Sequence, residues 1–374
     1  MQVVVDGIIF ELNSRGGVAR LFAEILPRMC QMDDATEIHL LTNRRHGYGL
    51  GLHPHLQMIP LNPPLDRLIR PRYIFQPITT WMTTRIKQRA TRELRRMIWH
   101  PTYYTLLPDW RGPVVITVHD MLYEMFPHTF RRLDDRFFRQ QKQRCVQQAD
   151  AVICISETTA QHLQSYINVP RDKIVVIPLA YSTAFRVLKE TSSPVHKPYL
   201  LYIGGRRAYK NFDRLLESYR RWRWREEVSL VVVGNPWSPQ ERQQISTYDL
   251  EGCILRMNPV DDTQLAHLYN QALAFVYPSL YEGFGIPLLE AAACGCPVIS
   301  SDIPSSREVL GDVPIYFDPQ DTDSLIDAMD VAVAEAGNSS RIERGLLRAQ
   351  QYSWDRCARQ TLQVYRALSG KSSG

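Results

Sequence analysis

Strand-length apolar runs alternate with helix-length segments along almost the whole chain, and this alternation restricts the possible folds more than any other feature. Consecutive parallel strands need a long crossover between them, and a helix is its usual form. Repetition of strand and helix therefore predicts βα units and mostly parallel sheets. Gln2–Asp6, Glu37–Thr42, Pro113–His119, Ala151–Ser156 and Lys173–Ile177 read as strands of a first series. Its helices fall at Gly17–Gln31, Arg85–Met97, Arg131–Ala149 and Thr158–Tyr166. A second series places strands at Tyr199–Gly204, Ser229–Gly234, Cys253–Met257, Ala274–Tyr277, Pro297–Ser301 and Ile315–Phe317. Helices between those are expected at Asn211–Arg221, Pro239–Ser246, Asp261–Gln271, Pro287–Ala293, Ser305–Leu310 and Thr322–Ala336. AYSTAFRVLKETSSPVHKP, Ala180–Pro198, is polar and without period, and reads as the linker. The expected fold class is α/β, with two doubly wound domains, each large enough in a chain of 374 residues to bury its own core. A last helix near Trp354–Leu368 sets Trp354, Leu362, Tyr365 and Leu368 at nearly helical spacing, and the KSSG ending reads as disordered.

Composition removes several classes. No stretch reaches the roughly 18 consecutive apolar residues of a membrane span. The opening MQVVVDGIIF has neither a basic leader nor a cleavage site, so no signal peptide is expected. Seven cysteines, an odd number without framework spacing, fit a reducing cytoplasm. Cys294 and Cys296 form a C-x-C with no second pair at metal-site distance, and read as small buried apolar residues. The net charge is +5, but it is unevenly spread. Arg67, Arg70, Arg72, Arg85, Lys87, Arg89, Arg92, Arg95 and Arg96 face a single acid, Glu93, with Trp81, Met82, Ile86 and Trp99 close by. A second basic run spans Arg131–Arg144. Both runs read either as solvated helix faces or as contact with an anionic membrane surface or lipid phosphate. Nucleic acid ranks behind these, because no nucleic-acid motif accompanies the charge.

The hydrolase and ATPase signatures G-x-S-x-G, H-E-x-x-H and Walker A are missing, and no complete G-x-G-x-x-G follows either first strand. Asp321 and Asp323 form a D-x-D where a helix should begin, which reads as capping rather than metal binding. Three stretches point instead to a bound anion and sugar. RGGVAR, Arg15–Arg20, places Gly16 and Gly17 ahead of a helix, where backbone can approach a ligand or simply turn tightly. YIGGRRAYKNF sets Gly204, Gly205, Arg206, Arg207 and Lys210 at the carboxyl end of a first strand, the edge where open α/β sheets bind ligands. Arg206 and Lys210 would hold a diphosphate without a metal; a solvated basic loop is the plain alternative. In SLYEGFGIPLLEAAACGCPVIS, Pro287 suits the first turn of a helix. Gly283, Phe284, Gly285 and Ile286 then offer amides at its positive end. Glu282 and Glu290, eight apart, would accept hydroxyls of a sugar and of a ribose, unless they are a structural pair. Together these describe a nucleotide diphosphate-sugar.

PSLYEGFGIPLLEAAACGCPVISSDIPSSREV resembles the E-x7-E region of the retaining glycosyltransferases of family four, which have the GT-B fold. The likeness continues in GGVAR, ITVHDM, ICISETT, YIGGRRAYKN and VDDTQLAHLYNQALAFVYPS, and is weakest over Arg45–Arg96. Two positions depart from the usual choices: Cys294 and Cys296 flank Gly295 where Cys-Gly-Thr-Pro is also common, and Arg307 stands where a proline often precedes the glutamate. The resemblance implies two Rossmann-like domains facing a deep cleft. Residues 1–180 would form the acceptor side, 181–197 the linker, 198–352 the nucleotide-sugar domain, and 353–374 a helix returning to the first domain.

Carried over residue by residue, the resemblance assigns Glu290 to ribose hydroxyls and Glu282 to the transferred sugar. Arg206 and Lys210 would neutralise the diphosphate, and Gly285 and Ile286 would add amides. Val260, in NPVDD, would border the base. His119, in VHD, would contact the donor sugar near the reacting carbon, while Glu157 is divided between helix capping and an interdomain role. Gly16 and Gly17 would line the cleft. The implied reaction moves a hexose from GDP-mannose or a UDP-sugar to a hydroxyl of a glycan or lipid-linked acceptor. It would retain configuration and need no metal or other cofactor. Closure of the domains and a cytoplasmic place at the inner membrane face are part of the same expectation. Two rivals share the architecture. A sugar-nucleotide epimerase would need carboxylates at first-domain strand ends, where only Asp6, Asp120 and Glu157 stand. A catalytically silent subunit of a glycan assembly complex would not need the intact set of Glu282, Glu290, Arg206, Lys210 and His119.

Overall fold

The structure is a computed structural model that describes residues 1–13, 16–42, 53–61, 82–190, 195 and 197–371. The chain divides into two units, Met1–Leu179 with Trp354–Gly374, and Ala180–Ser353. Arg15, Arg67, Arg70, Arg72, Trp81 and the last three residues of the KSSG ending lie outside the described residues.

The first unit holds β1 (Gln2–Asp6), β2 (Glu37–Thr42), β3 (Leu56–Pro60), β4 (Ile98–Trp99), β5 (Val115–Val118), β6 (Ala151–Cys154) and β7 (Ile174–Val176). They pair in parallel as β3-β2-β1-β4 and β5-β6-β7, and a parallel bridge from Trp99 to Val114 leads from one sheet to the other. The strands β1, β5 and β6 are buried almost throughout, as expected of parallel strands covered on both faces. The last helix, Trp354–Lys371, packs on the helix Gly17–Met32. Arg28 Nε donates to Asp355 Oδ1 at 2.9 Å, and Arg366 Nη2 to Asp33 Oδ2 at 2.8 Å. Beneath them the buried Tyr365 hydroxyl and Thr117 Oγ1 bracket the His100 ring, at 2.5 and 2.8 Å.

The helix expected over Arg85–Met97 is shorter, with residues 82–90 helical and 91–97 in turns. Its continuation loses to tertiary structure. The amides of Arg111 and Gly112 both donate to the Arg95 carbonyl, at 3.0 and 2.8 Å, so that carbonyl serves a neighbouring turn instead of the helix. Gly112 lies so close that an added Cβ would stand 2.0 Å from the Met97 carbonyl oxygen. Two lysines of the basic runs are also not solvated. Lys87 is buried with its Nζ 2.6 Å from Asp6 Oδ2, and Lys142 is fully buried beside Glu124.

The second unit carries β8 (Tyr199–Ile203), β9 (Ser229–Val233), β10 (Ile254–Met257), β11 (Ala274–Tyr277), β12 (Val298–Ser301) and β13 (Ile315–Phe317). Their order is β10-β9-β8-β11-β12-β13, all parallel. The chain leaves β8 toward β9 and β10, then returns to the other side of β8 with β11. The crevice between the β8 and β11 carboxyl ends is therefore the switch point, where such sheets bind ligands. Leu200, Leu230, Val232, Leu215, Trp222 and Met329 belong to one core cluster. The first part of the segment read as linker is fastened to this unit. Phe185 is buried against Tyr269, and Asn270 accepts from the Leu188 amide at 2.8 Å while donating to the Arg186 carbonyl at 2.9 Å. Asp321 accepts from the Asp323 amide at 2.9 Å ahead of the helix Thr322–Ala334, a cap in geometry. All seven cysteines are buried and free. Among the described residues, no helix is long and apolar enough to cross a membrane.

Candidate active site

The irregular stretch after β11 ends at Gly285, which adopts φ +111° and ψ 59° as the N-cap of the helix Ile286–Ala293. Few side chains tolerate that backbone, and glycine meets the requirement. Pro287 occupies the second helical position, where a missing N–H removes no helical bond, because first-turn amides have no acceptor within the helix. Ile286 and its neighbours thus put amide hydrogens at the positive end of the helix dipole. One turn in, Glu290 is 6% exposed, and Tyr269 donates to its Oε2 at 3.3 Å.

β8 supplies the facing loop. Ala208–Lys210 forms one 3₁₀ turn, Asn211 takes a left-handed conformation at φ 55°, and the helix Phe212–Arg221 begins. The Leu280 amide donates to the Tyr209 carbonyl at 2.8 Å, tying this loop to the one after β11. Across that tie Lys210 Nζ donates to Glu282 Oε1 at 2.6 Å, with both side chains partly exposed. Tyr277 lies 5.8 Å from the ammonium by its ring centroid. Burial, then the Glu282 charge, pushes its phenol far above the usual range, so it remains a protonated donor. Lys210, Glu282, Tyr277, Gly285 and Ile286 therefore meet at the switch point, with Glu290 one turn below.

Arg206 points elsewhere. Its Nε donates to Glu241 Oε1 at 2.5 Å, and its Nη2 to Glu241 Oε2 at 3.2 Å, Asn235 O at 3.0 Å and Pro236 O at 3.1 Å. Trp237 stacks on the guanidinium at 4.5 Å. The remaining nitrogen, Nη1, is buried without a partner among the described residues. Gly234 leaves it room, since a Cβ there would come within 3.0 Å of Nη1 and 2.8 Å of the Gly204 carbonyl oxygen. Glu241 is also the third helical residue after the Ser238 cap, and accepts from the Ser238 amide at 2.6 Å. The Arg206 guanidinium is thus held on the β9 side of the crevice, while Lys210 stands on the β11 side.

The other expected residues are dispersed. A Cβ on Gly205 would meet nothing within 4 Å, so the protein's own packing does not demand glycine there. Gly283 and Phe284 lie in the loop ahead of Gly285, Phe284 buried against Tyr352. Val260 is half-buried between β10 and the Asp261 cap of the helix Asp262–Gln271. Gly16 and Gly17 open the helix Gly17–Met32 in the first unit, with Gly16 packed so that a Cβ would stand 2.5 Å from Asn13 Nδ2.

His119 follows β5 and is 7% exposed, its ring stacked on Tyr103 with centroids 6.4 Å apart and its Nε2 buried without a partner among the described residues. Burial first, then the Lys142 charge, lowers its pKa to about 3, so the ring is neutral at ordinary pH. Lys142 holds the same loop, donating to Glu124 Oε2 at 2.5 Å and to the Asp120 carbonyl at 3.2 Å. Ser156 caps the helix Glu157–Tyr166 by accepting from the Thr159 amide at 2.9 Å, and Glu157 reaches Arg171 at 3.4 Å. Glu241, Trp237, Tyr277 and Lys142 were not singled out from sequence. Only Glu241 carried a signal, the S-P-Q-E capping pattern, and that predicts a helix start rather than an arginine clamp.

Residues 15–185 match the family Glycosyltransferase Family 4, and residues 186–344 match Glycosyl transferases group 1. The O-antigen chain mannosyltransferase B of Escherichia coli is 31% identical over 293 residues, covering 75% of this chain and 76% of that protein. The O-antigen chain mannosyltransferase RfbU of Salmonella typhimurium is 30% identical over 209 residues, 56% of this chain and 58% of that protein. In fold, the sucrose-phosphate synthase of Thermosynechococcus elongatus superposes with a TM-score of 0.81 at 19% identity, over 99% of this chain and 100% of that one. The fold is thus GT-B-like, an architecture whose paired parallel sheets serve many chemistries. The chain belongs to the family-four, group 1 glycosyltransferases, enzymes that draw on nucleotide-sugar donors.

Proposed function

We propose that the protein is a retaining mannosyltransferase of surface-polysaccharide assembly. It moves mannose from GDP-mannose to a hydroxyl of a growing glycan or lipid-linked acceptor, with a UDP-sugar as the alternative donor. The observation that carries this reading is the Lys210–Glu282 pair at the amide-bearing end of the Gly285-capped helix, one turn from Glu290. The two O-antigen mannosyltransferases that the chain resembles support the choice of mannose.

In this mechanism Glu290 accepts the ribose hydroxyls, and Val260 borders the base. Gly205, Gly283, Phe284, Gly285 and Ile286 give the diphosphate close backbone approach and amide hydrogens. Lys210 transfers its charge from Glu282 to the diphosphate as the bond to the anomeric carbon breaks, and Glu282 turns to hydroxyls of the transferred sugar. Charge that develops in the transition state is where a fixed cation has most effect. Arg206, already matched by Glu241, adds a smaller contribution through Nη1. A lysine ammonium and a helix terminus provide this positive charge without a metal. His119, neutral and buried, is assigned to a hydroxyl of the transferred sugar, and Gly16 and Gly17 to the acceptor side. The acceptor hydroxyl attacks on the face the leaving group departs from and gives its proton to a leaving phosphate oxygen, which retains configuration.

A cytoplasmic position at the inner membrane face fits the exposed Leu133 and Phe137, 71% and 62% exposed, beside Arg131 and Arg132. The test of the reaction is transfer from GDP-mannose and UDP-glucose to a mannoside acceptor, with and without EDTA, with product anomers assigned by NMR. An α-mannoside formed equally in EDTA is expected. Transfer from neither donor, or inverted product, would overturn the assignment.

A further inference from the structure

The first unit carries a concave surface that the donor site does not use. It lies between the helix Leu133–Gln148, the short helix Leu122–Met125 and the end of the helix Glu157–Tyr166. Its volume is about 400 Å³, within the range of small-ligand sites, and its wall includes Glu124, Arg136, Arg139, Gln140, Gln143 and Tyr166. Arg136, Gln140 and Gln143 recur at four- and three-residue steps, which places them on one helix face. Among the described residues none of these three makes a side-chain hydrogen bond, whereas Arg139 donates to the Tyr123 carbonyl at 3.3 Å.

Glu124 is held rigidly. Its Oε2 accepts from the fully buried Lys142 at 2.5 Å, and its Oε1 is buried without a partner among the described residues. Tyr166 leaves half its surface exposed beside it. A ligand matched to this wall must bring both donors and acceptors and a face for an aromatic ring. A bare anion would use the arginines alone and leave the Tyr166 ring uncovered. An apolar ligand would cover the arginines and amides without pairing them, which opposes its binding. Sugar hydroxyls donate and accept at once. Forked guanidinium and amide groups span neighbouring hydroxyls, and a tyrosine face covers the C–H side of a pyranose.

We propose that this cavity is a saccharide-binding subsite that holds a non-reacting residue of the glycan acceptor. The inference rests on the reading of the acceptor as a glycan. Its purpose would be affinity for a long acceptor, since remote contacts raise the local concentration of the chain without entering the chemistry. The same carboxylate touches the His119 loop through Lys142, which also donates to the Asp120 carbonyl. The subsite wall and that loop are therefore joined through Lys142.

The test uses mannotriose as probe and the full chain with GDP added. Mannotriose binding is followed by ligand-observed NMR in wild type, Tyr166→Ala and the double variant Gln140→Ala/Gln143→Ala, all exposed or half-exposed positions whose loss leaves the core intact. Binding by wild type in the presence of GDP is expected, with affinity at least fivefold weaker in each variant and circular dichroism unchanged. Absence of mannotriose binding would overturn the proposal, as would equal affinity in wild type and both variants. Displacement of mannotriose by millimolar inorganic phosphate, showing an anion site, would overturn it too. GDP affinity is measured in the same samples, and its absence would count against the donor site while leaving the Tyr166 comparison readable.

Discussion

Gly285→Ala perturbs the backbone and the packing of the donor site at once. The native φ of +111° is one that L-residues avoid, which costs about 1–2 kcal/mol. The new Cβ would stand 2.9 Å from Leu288 Cδ1 and 3.3 Å from its Cγ, with the Tyr277 hydroxyl at 3.5 Å. Leu288 is fully buried, so it has little room to retreat, and overpacking of this kind costs about 1–3 kcal/mol. The sum, about 2–5 kcal/mol, corresponds to a fall in Tm of roughly 5–15 °C for a unit of this size. Relief by rotation of the Gly285–Ile286 peptide would turn its amide away from the diphosphate, so GDP affinity should fall more than tenfold in what remains folded. Gly205→Ala is the control: its Cβ meets nothing within 4 Å, so stability should stay within about 0.5 kcal/mol of wild type. Urea unfolding at constant m-value and calorimetric GDP titration measure both effects. A Gly285→Ala protein with wild-type stability and wild-type GDP affinity would refute the claim that this left-handed cap shapes an anion site.

Lys210→Met should lower kcat by about 10²–10³ while leaving the acceptor KM nearly unchanged, since its cation acts on charge that develops during transfer; steady-state kinetics with both substrates varied would show otherwise if only KM moved. Lys142→Met strands the Glu124 carboxylate in the interior and should cost about 3–5 kcal/mol, with Lys142→Met/Glu124→Gln clearly less damaging than the single change. Additive losses in that double-mutant cycle would contradict the pairing. Protonation of His119 and His100 is opposed in the folded state, where burial is the largest cause and lowers both pKa values to about 3. The unfolded chain therefore binds more protons between pH 3 and 6.5, and stability present above pH 6.5 is lost as the pH falls through that window. Unfolding free energy should change by about 1.4 kcal/mol per pH unit for each such histidine, and His119→Asn should remove one of these increments. An unaltered pH slope in that variant would show that His119 titrates normally.

The parallel α/β architecture was legible because β1, β8, β9 and β11 are short apolar runs separated by helix-length segments, and no long-range information is needed to see them. β3, Leu56–Pro60, was not, because LQMIP mixes polar and apolar residues and ends in proline, and β4 is only two residues long. The short helices Ile8–Leu12 and Ser339–Ala349 are likewise not legible in the sequence. Gly285, Pro287 and Glu290 stood out because a turn, a cap and a charge sit within a few residues of each other, and Lys210 because it follows a glycine pair at a strand end. Arg206 was legible as a cation but not as the partner of Glu241, 35 residues away, since only the folding of β9 beside β8 brings them together. Lys87 and Lys142 were invisible for a related reason. A lysine within a basic run looks solvated until the fold places Asp6 or Glu124 against it.

The most direct test of the central claim is thermal stabilisation by GDP, UDP, ADP and dTDP, with and without EDTA, on wild type and Glu290→Ala. The account predicts that GDP raises the wild-type Tm more than the other three, equally in EDTA, and that Glu290→Ala, folded by circular dichroism, loses the shift. A wild-type protein that responds to no nucleotide, or an equal GDP response in Glu290→Ala, would contradict it.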